Sequence, residues 1–395
     1  MTPPPLPHPK SPDALFAVDT LLDDDEKAVR STVRQVVEER VKPFVAEWYE
    51  RGSLPARELA KQLGEIGLLG MHLEGYGCAG MSATAYGLAC LELEAGDSGI
   101  RSLVSVQGSL AMYAIYAYGS EEQKLEWLPR MASGEFIGCF GLTEADHGSN
   151  PAGMRTVAKR DGEDWVLRGT KMWITNGSVA DVAIVWARTD EGIRGFVVPT
   201  TATGFSAREI TGKMSLRASV TSELILDGVR LPASAVLPGA SGLSGPLGCL
   251  SEARFGIVFG ALGAARDCLE VTLEYATTRE QFDRPIAGFQ LTQAKFADMT
   301  LEYGKGLLLA LHLGRLKDAH ALASQQVSLG KLNNVRESIA IARECRTILG
   351  ANGISSEYPV MRHANNLESV LTYEGTSEMH ALVIGQALTG VAAFR

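Results

Sequence analysis

Val182-Ala183-Ile184-Val185-Trp186 is an uninterrupted apolar run, preceded by Asp181 and followed within a few residues by the turn-forming Asp190-Glu191-Gly192. A run this short, rich in β-branched side chains and closed by turn residues, predicts a buried strand rather than a helix. Trp165-Val166-Leu167, Gly195-Phe196-Val197-Val198 and Leu224-Ile225-Leu226 repeat the pattern between Gly, Asp and Pro turns. Together they predict an antiparallel β unit of roughly a hundred residues beginning near Cys139.

Helical periodicity lies on both sides of that unit. Asp23, Asp24 and Asp25 place negative charge at a helix start, and Val29, Val33, Val36, Val37 and Val41 then recur at helical spacing until Pro43. Ser120 and Gln123, three apart, suit a capping box. From about Leu247 the helical period returns, with Ile341, Ala342, Cys345, Ile348 and Leu349 as one apolar stripe. The chain therefore reads as α+β, in the order helices, strands, helices. Its expected parts are an irregular arm over residues 1–20, a helical unit over 21–138, a β unit over 139–246 and a second helical unit over 247–395.

The chain has 395 residues, enough for two or three packed units. Lys and Arg number 37 against 46 Asp and Glu, a net charge of −9 with no long basic run, which argues against broad electrostatic binding of nucleic acid. The six cysteines, at 78, 90, 139, 249, 268 and 345, form no C-x-x-C pair, as expected of reduced thiols in a cytoplasmic protein. The seven histidines form no H-E-x-x-H, so no metal site is expected. The longest apolar run, Phe255 to Ala265, is short and Gly-interrupted, so no membrane insertion is expected either. Six of the 16 prolines fall in the first twelve residues, and Lys10 is the only Lys or Arg before Lys27, which shows neither a secretory signal nor an Arg-rich transit peptide.

Four segments could carry chemistry. Phe140-Gly141-Leu142-Thr143-Glu144-Ala145-Asp146-His147-Gly148-Ser149-Asn150 stands where helices give way to strands; its glycines permit close backbone approach, and Thr143 and Ser149 offer hydroxyls. Taken alone it is a weak signal, since most such stretches are ordinary turns. Lys171 to Gly177 places the Trp173 indole and the Thr175 hydroxyl on one side of a strand, or else buries a core Trp beside a turn. Arg279, ahead of Pro285 and Gln290, falls in a last helical turn, where a cation also complements the helix dipole. Finally, Glu374 sits in the polar break Thr372-Tyr373-Glu374-Gly375-Thr376, as a reactive carboxylate or as a helix cap.

In this order and at these separations, the segments resemble the acyl-CoA dehydrogenase family, from about residue 20 to the C-terminus. The resemblance implies an N-terminal helical domain, a middle antiparallel β-barrel domain and a C-terminal four-helix bundle. It also implies one FAD per subunit, a homotetramer built as a dimer of dimers, and electron delivery to an electron-transfer flavoprotein. Glu374 resembles the catalytic base. Phe140, Leu142, Thr143, Gly148 and Ser149 resemble the flavin-contacting loop, and Trp173, Ile174 and Thr175 the strand against the flavin ring. Thr376 follows the base on the cofactor side. Arg279, Gln290 and the stretch Thr347, Leu349, Gly350 resemble residues that reach a neighbouring subunit's cofactor.

The segment Glu94 to Gln107 is similar to the branch of the family that acts on glutaryl-CoA. That implies Arg101 and Ser105 at the substrate's distal carboxylate, with Glu94, Ser102, Thr175 and Tyr373 around it. Ser149, Arg254 and Gly375 are the remaining expected substrate contacts. A buried carboxylate needs a cationic, hydrogen-bonding partner, which a guanidinium supplies. Arg101 reads alternatively as the i+4 partner of Asp97 on one helix face. The implied reaction removes the α-proton through Glu374 as hydride leaves the β-carbon for flavin, and glutaconyl-CoA then loses carbon dioxide to give crotonyl-CoA. The alternative is a non-decarboxylating short-chain acyl-CoA dehydrogenase. Two departures from the family pattern stand out: Asn150 where relatives carry Asp, and Ala351 where a second Gly is frequent.

Overall fold

The computed structural model describes residues 11–393. A helical turn, α1 (Pro12–Leu15), and a 3-10 turn over Val18–Leu21 precede α2 (Asp24–Arg40). The described part of the expected irregular arm is thus locally helical and docked on the protein. Phe16 fills the space beside Gly304, where a Cβ would come within 1.8 Å of its ring. Asp13 accepts a hydrogen bond from the Tyr303 hydroxyl at 2.5 Å and lies 3.4 Å from Arg34 and 3.6 Å from Arg266. Residues 1–10 lie outside the described residues.

Helix α2 starts on a reciprocal cap: Glu26 N–H donates to Asp23 Oδ1 at 2.8 Å and Asp23 N–H to Glu26 Oε2 at 3.0 Å. Pro43 lies in the first turn of α3 (Lys42–Arg51), where a missing N–H costs nothing. Then follow α4 (Ala56–Glu65), α5 (Ala83–Gly96), α6 (Ser98–Ser105), a π-helical turn over Val106–Met112, α7 (Tyr113–Tyr118) and α8 (Glu121–Ala132). The Ser120–Gln123 box caps α8 as the spacing predicts. Helix α5 is apolar on nearly every side and buried over almost its whole length, which places it in the middle of the helical layers.

The strands are β1 (Gly138–Gly141), β2 (Val157–Asp161), β3 (Asp164–Thr175), β4 (Val182–Thr189), β5 (Gly192–Pro199), β6 (Phe205–Glu209) and β7 (Thr221–Leu231). They form one curled sheet in the order β1-β4-β2-β3-β7-β6, with β5 also paired to β4. The run Val182 to Trp186 is β4, fully buried between β1 and β5. Two pairings depart from the all-antiparallel expectation: β1 pairs with β4 in parallel, Gly138 opposite Val182 through Gly141 opposite Val185, and β2 meets β4 in parallel at Val157 opposite Arg188. The β2–β3 hairpin intervenes between β1 and β4, and a connection of that length lets the chain re-enter the sheet in the same direction.

The C-terminal layer is α9 (Ser244–Thr278), the small hairpin β8 (Glu280–Gln281) and β9 (Arg284–Pro285), α10 (Gln290–Asp318), α11 (Ser324–Leu349), α12 (Val360–Thr372) and α13 (Ser377–Thr389). Helix α9 has the length and hydropathy of a membrane span, but most of its apolar stretch is buried inside the protein, and Gly263 lets it touch α5: a Cβ there would stand 1.8 Å from the Leu91 carbonyl oxygen. Its N-terminal part shares a second core with the sheet, in which Phe140, Leu142 and Trp186 meet Leu110, Cys249 and Ala253. That shared core fixes the β unit against the helices that carry the candidate site.

Candidate active site

Between α12 and α13 the residues Tyr373-Glu374-Gly375-Thr376 break the helix, and Thr376 caps α13 by accepting from Met379 N–H at 3.4 Å. Glu374 has φ +52°. A non-Gly residue in that left-handed region carries strain of about 1–3 kcal/mol and persists where its surroundings hold it. Here two cations do so. Lys331 Nζ, from α11, donates to the carbonyl oxygens of Tyr373 and Gly375 at 2.5 and 2.6 Å, and Arg254 Nε, from α9, donates to that of Glu374 at 2.6 Å. The backbone is tied, but Oε2 of the carboxylate is buried without a hydrogen-bond partner. Burial pushes the Glu374 carboxyl above its ordinary range, against the pull of Arg101, Lys331 and Arg254.

Opposite the base, α5 ends at Gly96 and Asp97 caps α6, accepting from Gly99 N–H at 2.7 Å. Because Asp97 is a cap with φ −170°, outside the helix, it does not share a face with Arg101. It engages Asn366 at 2.8 Å and Arg362 at 3.2 Å instead, and the surface-pair reading of Arg101 falls. Arg101 is 1% exposed; its Nε donates to Glu94 Oε2 at 2.7 Å and its Nη2 to the Tyr373 hydroxyl. Ser98 Oγ holds the other oxygen of Glu94 at 2.8 Å. Burial raises the Tyr373 phenol, with Arg101 and Ser102 working the other way. One helical turn beyond Arg101, Ser105 Oγ is buried and unpartnered. Three basic side chains, Arg101, Arg254 and Lys331, here face two acidic ones, Glu94 and Glu374.

The other two sequence-selected segments form a ledge on the β unit. Lys171 Nζ donates to Glu144 Oε1 at 2.8 Å and to the Leu142 carbonyl at 3.1 Å, and Met172 N–H donates to the Thr143 carbonyl at 2.9 Å. The 140–150 loop is thereby fastened to the end of β3. A register shift between Lys171 and Ile174 puts Trp173 at φ +64° and leaves it 59% exposed, so it is no core Trp and strand alternation does not place it. Gly148 and Ser149 are exposed, and Thr143 and Thr175 half-buried. Phe140, Leu142 and Ile174 are buried in the cores and offer backbone, not side chains, to a ligand. An exposed indole beside an open, hydroxyl-bearing loop suits a planar, polar-tailed cofactor. His147 packs over Gly153, where a Cβ would meet its ring at 2.4 Å, and this close fit accounts for its place in the loop.

Family models match along almost the whole chain: the acyl-CoA dehydrogenase N-terminal domain over residues 23–135, the middle domain over 139–229 and the C-terminal domain over 240–389. The chain belongs to the acyl-CoA dehydrogenase family. Among solved structures it is similar to a glutaryl-CoA dehydrogenase from Mycobacterium smegmatis, at 77% identity and TM-score 0.96 over 98% of this chain and 100% of that one. A second M. smegmatis glutaryl-CoA dehydrogenase, in complex with FADH2, is 70% identical with TM-score 0.96 and the same coverage. The mitochondrial short-chain specific acyl-CoA dehydrogenase of Bos taurus is 34% identical over 371 residues, 92% of this chain and 90% of its own length.

In this acyl-CoA dehydrogenase Glu374, Gly375, Tyr373, Arg254, Arg101, Ser102 and Glu94 form one connected group, with Ser105 one helical turn from Arg101, while Thr143, Ser149, Trp173 and Thr175 lie on the ledge. The residues expected to reach another subunit stand apart from both. Arg279 lies just past the end of α9, not in its last turn, and is exposed, as is Gln290. Thr347 and Gly350 are exposed, but the Leu349 side chain is buried in the core, so only its backbone is free for a ligand. Sequence reading missed Lys331 and His380. Lys331 is a lone cation on the buried stripe of α11 between Val327 and Val335, a signal visible in the pattern. His380 donates or accepts at Ser328 Oγ, 3.0 Å away, leaves Nε2 unpartnered, and is lowered to about 3 by burial and by Lys331 and Arg254.

Proposed function

We propose that this chain is an FAD-dependent glutaryl-CoA dehydrogenase that oxidises and decarboxylates glutaryl-CoA to crotonyl-CoA. The observation that carries the reading is the fully buried Arg101, set between Glu94 and Tyr373 beside the unpartnered carboxylate of Glu374. A saturated monoacyl tail gives a buried guanidinium nothing to bind. A distal carboxylate would complement the surplus of basic over acidic side chains in the site and take up the orphaned Ser105 hydroxyl.

In this reading Glu374 removes the α-proton at Oε2, and its solvent-excluded setting makes it a stronger base than a carboxylate in water. Its own N–H stabilises charge on the thioester oxygen. Arg254 and Lys331 hold that peptide segment still while Arg101, with Tyr373 and Ser105, anchors the far end of the acyl chain. The glutaconyl product then loses its distal carboxylate as carbon dioxide, and protonation of the resulting dienolate gives crotonyl-CoA. FAD, held by Thr143, Ser149, Trp173, Thr175 and Thr376, supplies the acceptor for the hydride that leaves the β-carbon. Arg279, Gln290, Thr347 and Gly350, exposed in one chain, are proposed to meet a neighbouring subunit's FAD in a homotetramer. A cytoplasmic location and an electron-transfer flavoprotein as oxidant complete the proposal.

The test is product analysis after anaerobic incubation of the flavin-loaded protein with glutaryl-CoA. The reading expects crotonyl-CoA and carbon dioxide. Faster flavin bleaching by butyryl-CoA, with no carbon dioxide from glutaryl-CoA, would replace it with the short-chain alternative.

A further inference from the structure

Lys331 poses a question that packing does not answer. An ammonium on the buried face of α11, 2% exposed, is costly where an apolar side chain would pack freely. Its hydrogen bonds go to two carbonyl oxygens, those of Tyr373 and Gly375, and to no carboxylate among the described residues. These are the peptide groups on either side of Glu374, whose own carbonyl is held from α9 by Arg254. Three successive carbonyls are therefore gripped by two cations while the carboxylate between them stays free. The groups facing Lys331 are Glu374 and Tyr373 from the helix break, Arg254 from α9, Arg101 from α6 and His380 from α13.

We infer that Lys331 is a positioning residue for the base: by bridging the peptides before and after Glu374 it fixes the left-handed backbone that aims the carboxylate. The inference rests on Glu374 being the base. Lys331 also places a positive charge behind the carboxylate, which favours its ionised form. Burial, with Arg254 and Arg101 nearby, brings the ammonium itself down to about 7, against the opposing pull of Glu374.

The experiment compares flavin-loaded wild type, Lys331→Met and Lys331→Gln in anaerobic stopped-flow reduction by glutaryl-CoA and by butyryl-CoA between pH 5.5 and 9. Lys331→Met removes both bonds and the charge. The reduction rate is expected to fall about 100-fold with KM changed less than about threefold, since aim and not affinity is lost. The acid limb of its rate profile is expected to move up by about one pH unit, because a cation that stabilised the ionised base is gone. Lys331→Gln retains N–H donors without charge; it should recover part of the rate and keep the displaced limb. A purely structural role would lower flavin content or stability and leave the limb where it was. A wild-type rate with an unmoved limb in either flavin-loaded variant overturns the inference, and if Lys331→Met fails to fold, Lys331→Gln decides by the same limb. Should wild type respond to butyryl-CoA alone, the substrate reading fails while the Lys331 comparison still runs on that thioester.

Discussion

Replacing Arg101 by methionine keeps the length of the side chain and removes its charge, and the structure sets the scale of both consequences. Arg101 Nε and Glu94 Oε2 stand 2.7 Å apart with both residues essentially inaccessible. Breaking such a pair from one side costs about 3–5 kcal/mol of stability, because the surviving carboxylate is left buried and unpaired. Loss of a buried cationic partner for a ligand carboxylate costs about 2–5 kcal/mol. At about 1.4 kcal/mol per tenfold, that is a roughly 30- to 4,000-fold drop in kcat/KM for glutaryl-CoA. Butyryl-CoA ends in a methyl group and should lose less than about tenfold, through disturbance of Tyr373 alone. Steady-state dye reduction with both thioesters measures the split, and urea unfolding measures the stability. Adding Glu94→Gln should return most of the stability without returning glutaryl-CoA turnover. Equal losses on both thioesters would refute the reasoning and make Arg101 a purely structural cation.

The other predictions concern the base itself and a buried ion-pair cluster away from the site. Glu374→Gln should keep bound flavin and lose its bleaching by acyl-CoA, read anaerobically in the visible spectrum; unchanged bleaching would remove Glu374 from the role of base. Glu92 is gripped by Arg266 at 2.6 Å to each oxygen and by Arg34 at 2.9 and 3.0 Å, and these outweigh burial to lower its pKa from 4.5 to about 2. A depressed folded pKa gives stability that is complete above about pH 4.5 and lost as pH falls towards 2, here about 3 kcal/mol. Urea titrations at pH 7, 4 and 3 should show that slope in wild type and a flatter one in Glu92→Gln; parallel slopes would exclude Glu92 as its source.

Much of the architecture was legible because local chemistry and global packing agree. The apolar run at 182–186 lies in β4, fully buried between β1 and β5, and the Ser120–Gln123 box does cap a helix. What escaped depends on groups distant in sequence. Glu94 and Arg101 pair across the end of one helix and the start of the next, and no periodic pattern joins positions seven apart through a cap. The parallel β1–β4 joint follows from where the chain re-enters the sheet, not from either strand's composition. Trp173 is exposed because the strand bulges there, and strict alternation would have hidden it. Glu374 looked like any carboxylate before a helix; its left-handed backbone and its three cationic neighbours belong to the fold.

The docked start of the chain has a practical consequence. The N-terminal family model matches from residue 23, which invites a shortened version cut there. Asp13, ten residues upstream, is a counter-ion of Arg266 and Arg34 and the acceptor of the Tyr303 hydroxyl. Such a trimmed protein would take one carboxylate from the pair of guanidinium groups that share Glu92, and would remove the acceptor of the Tyr303 phenol. Where the family model's match starts and where the packed structure starts are different places in this molecule.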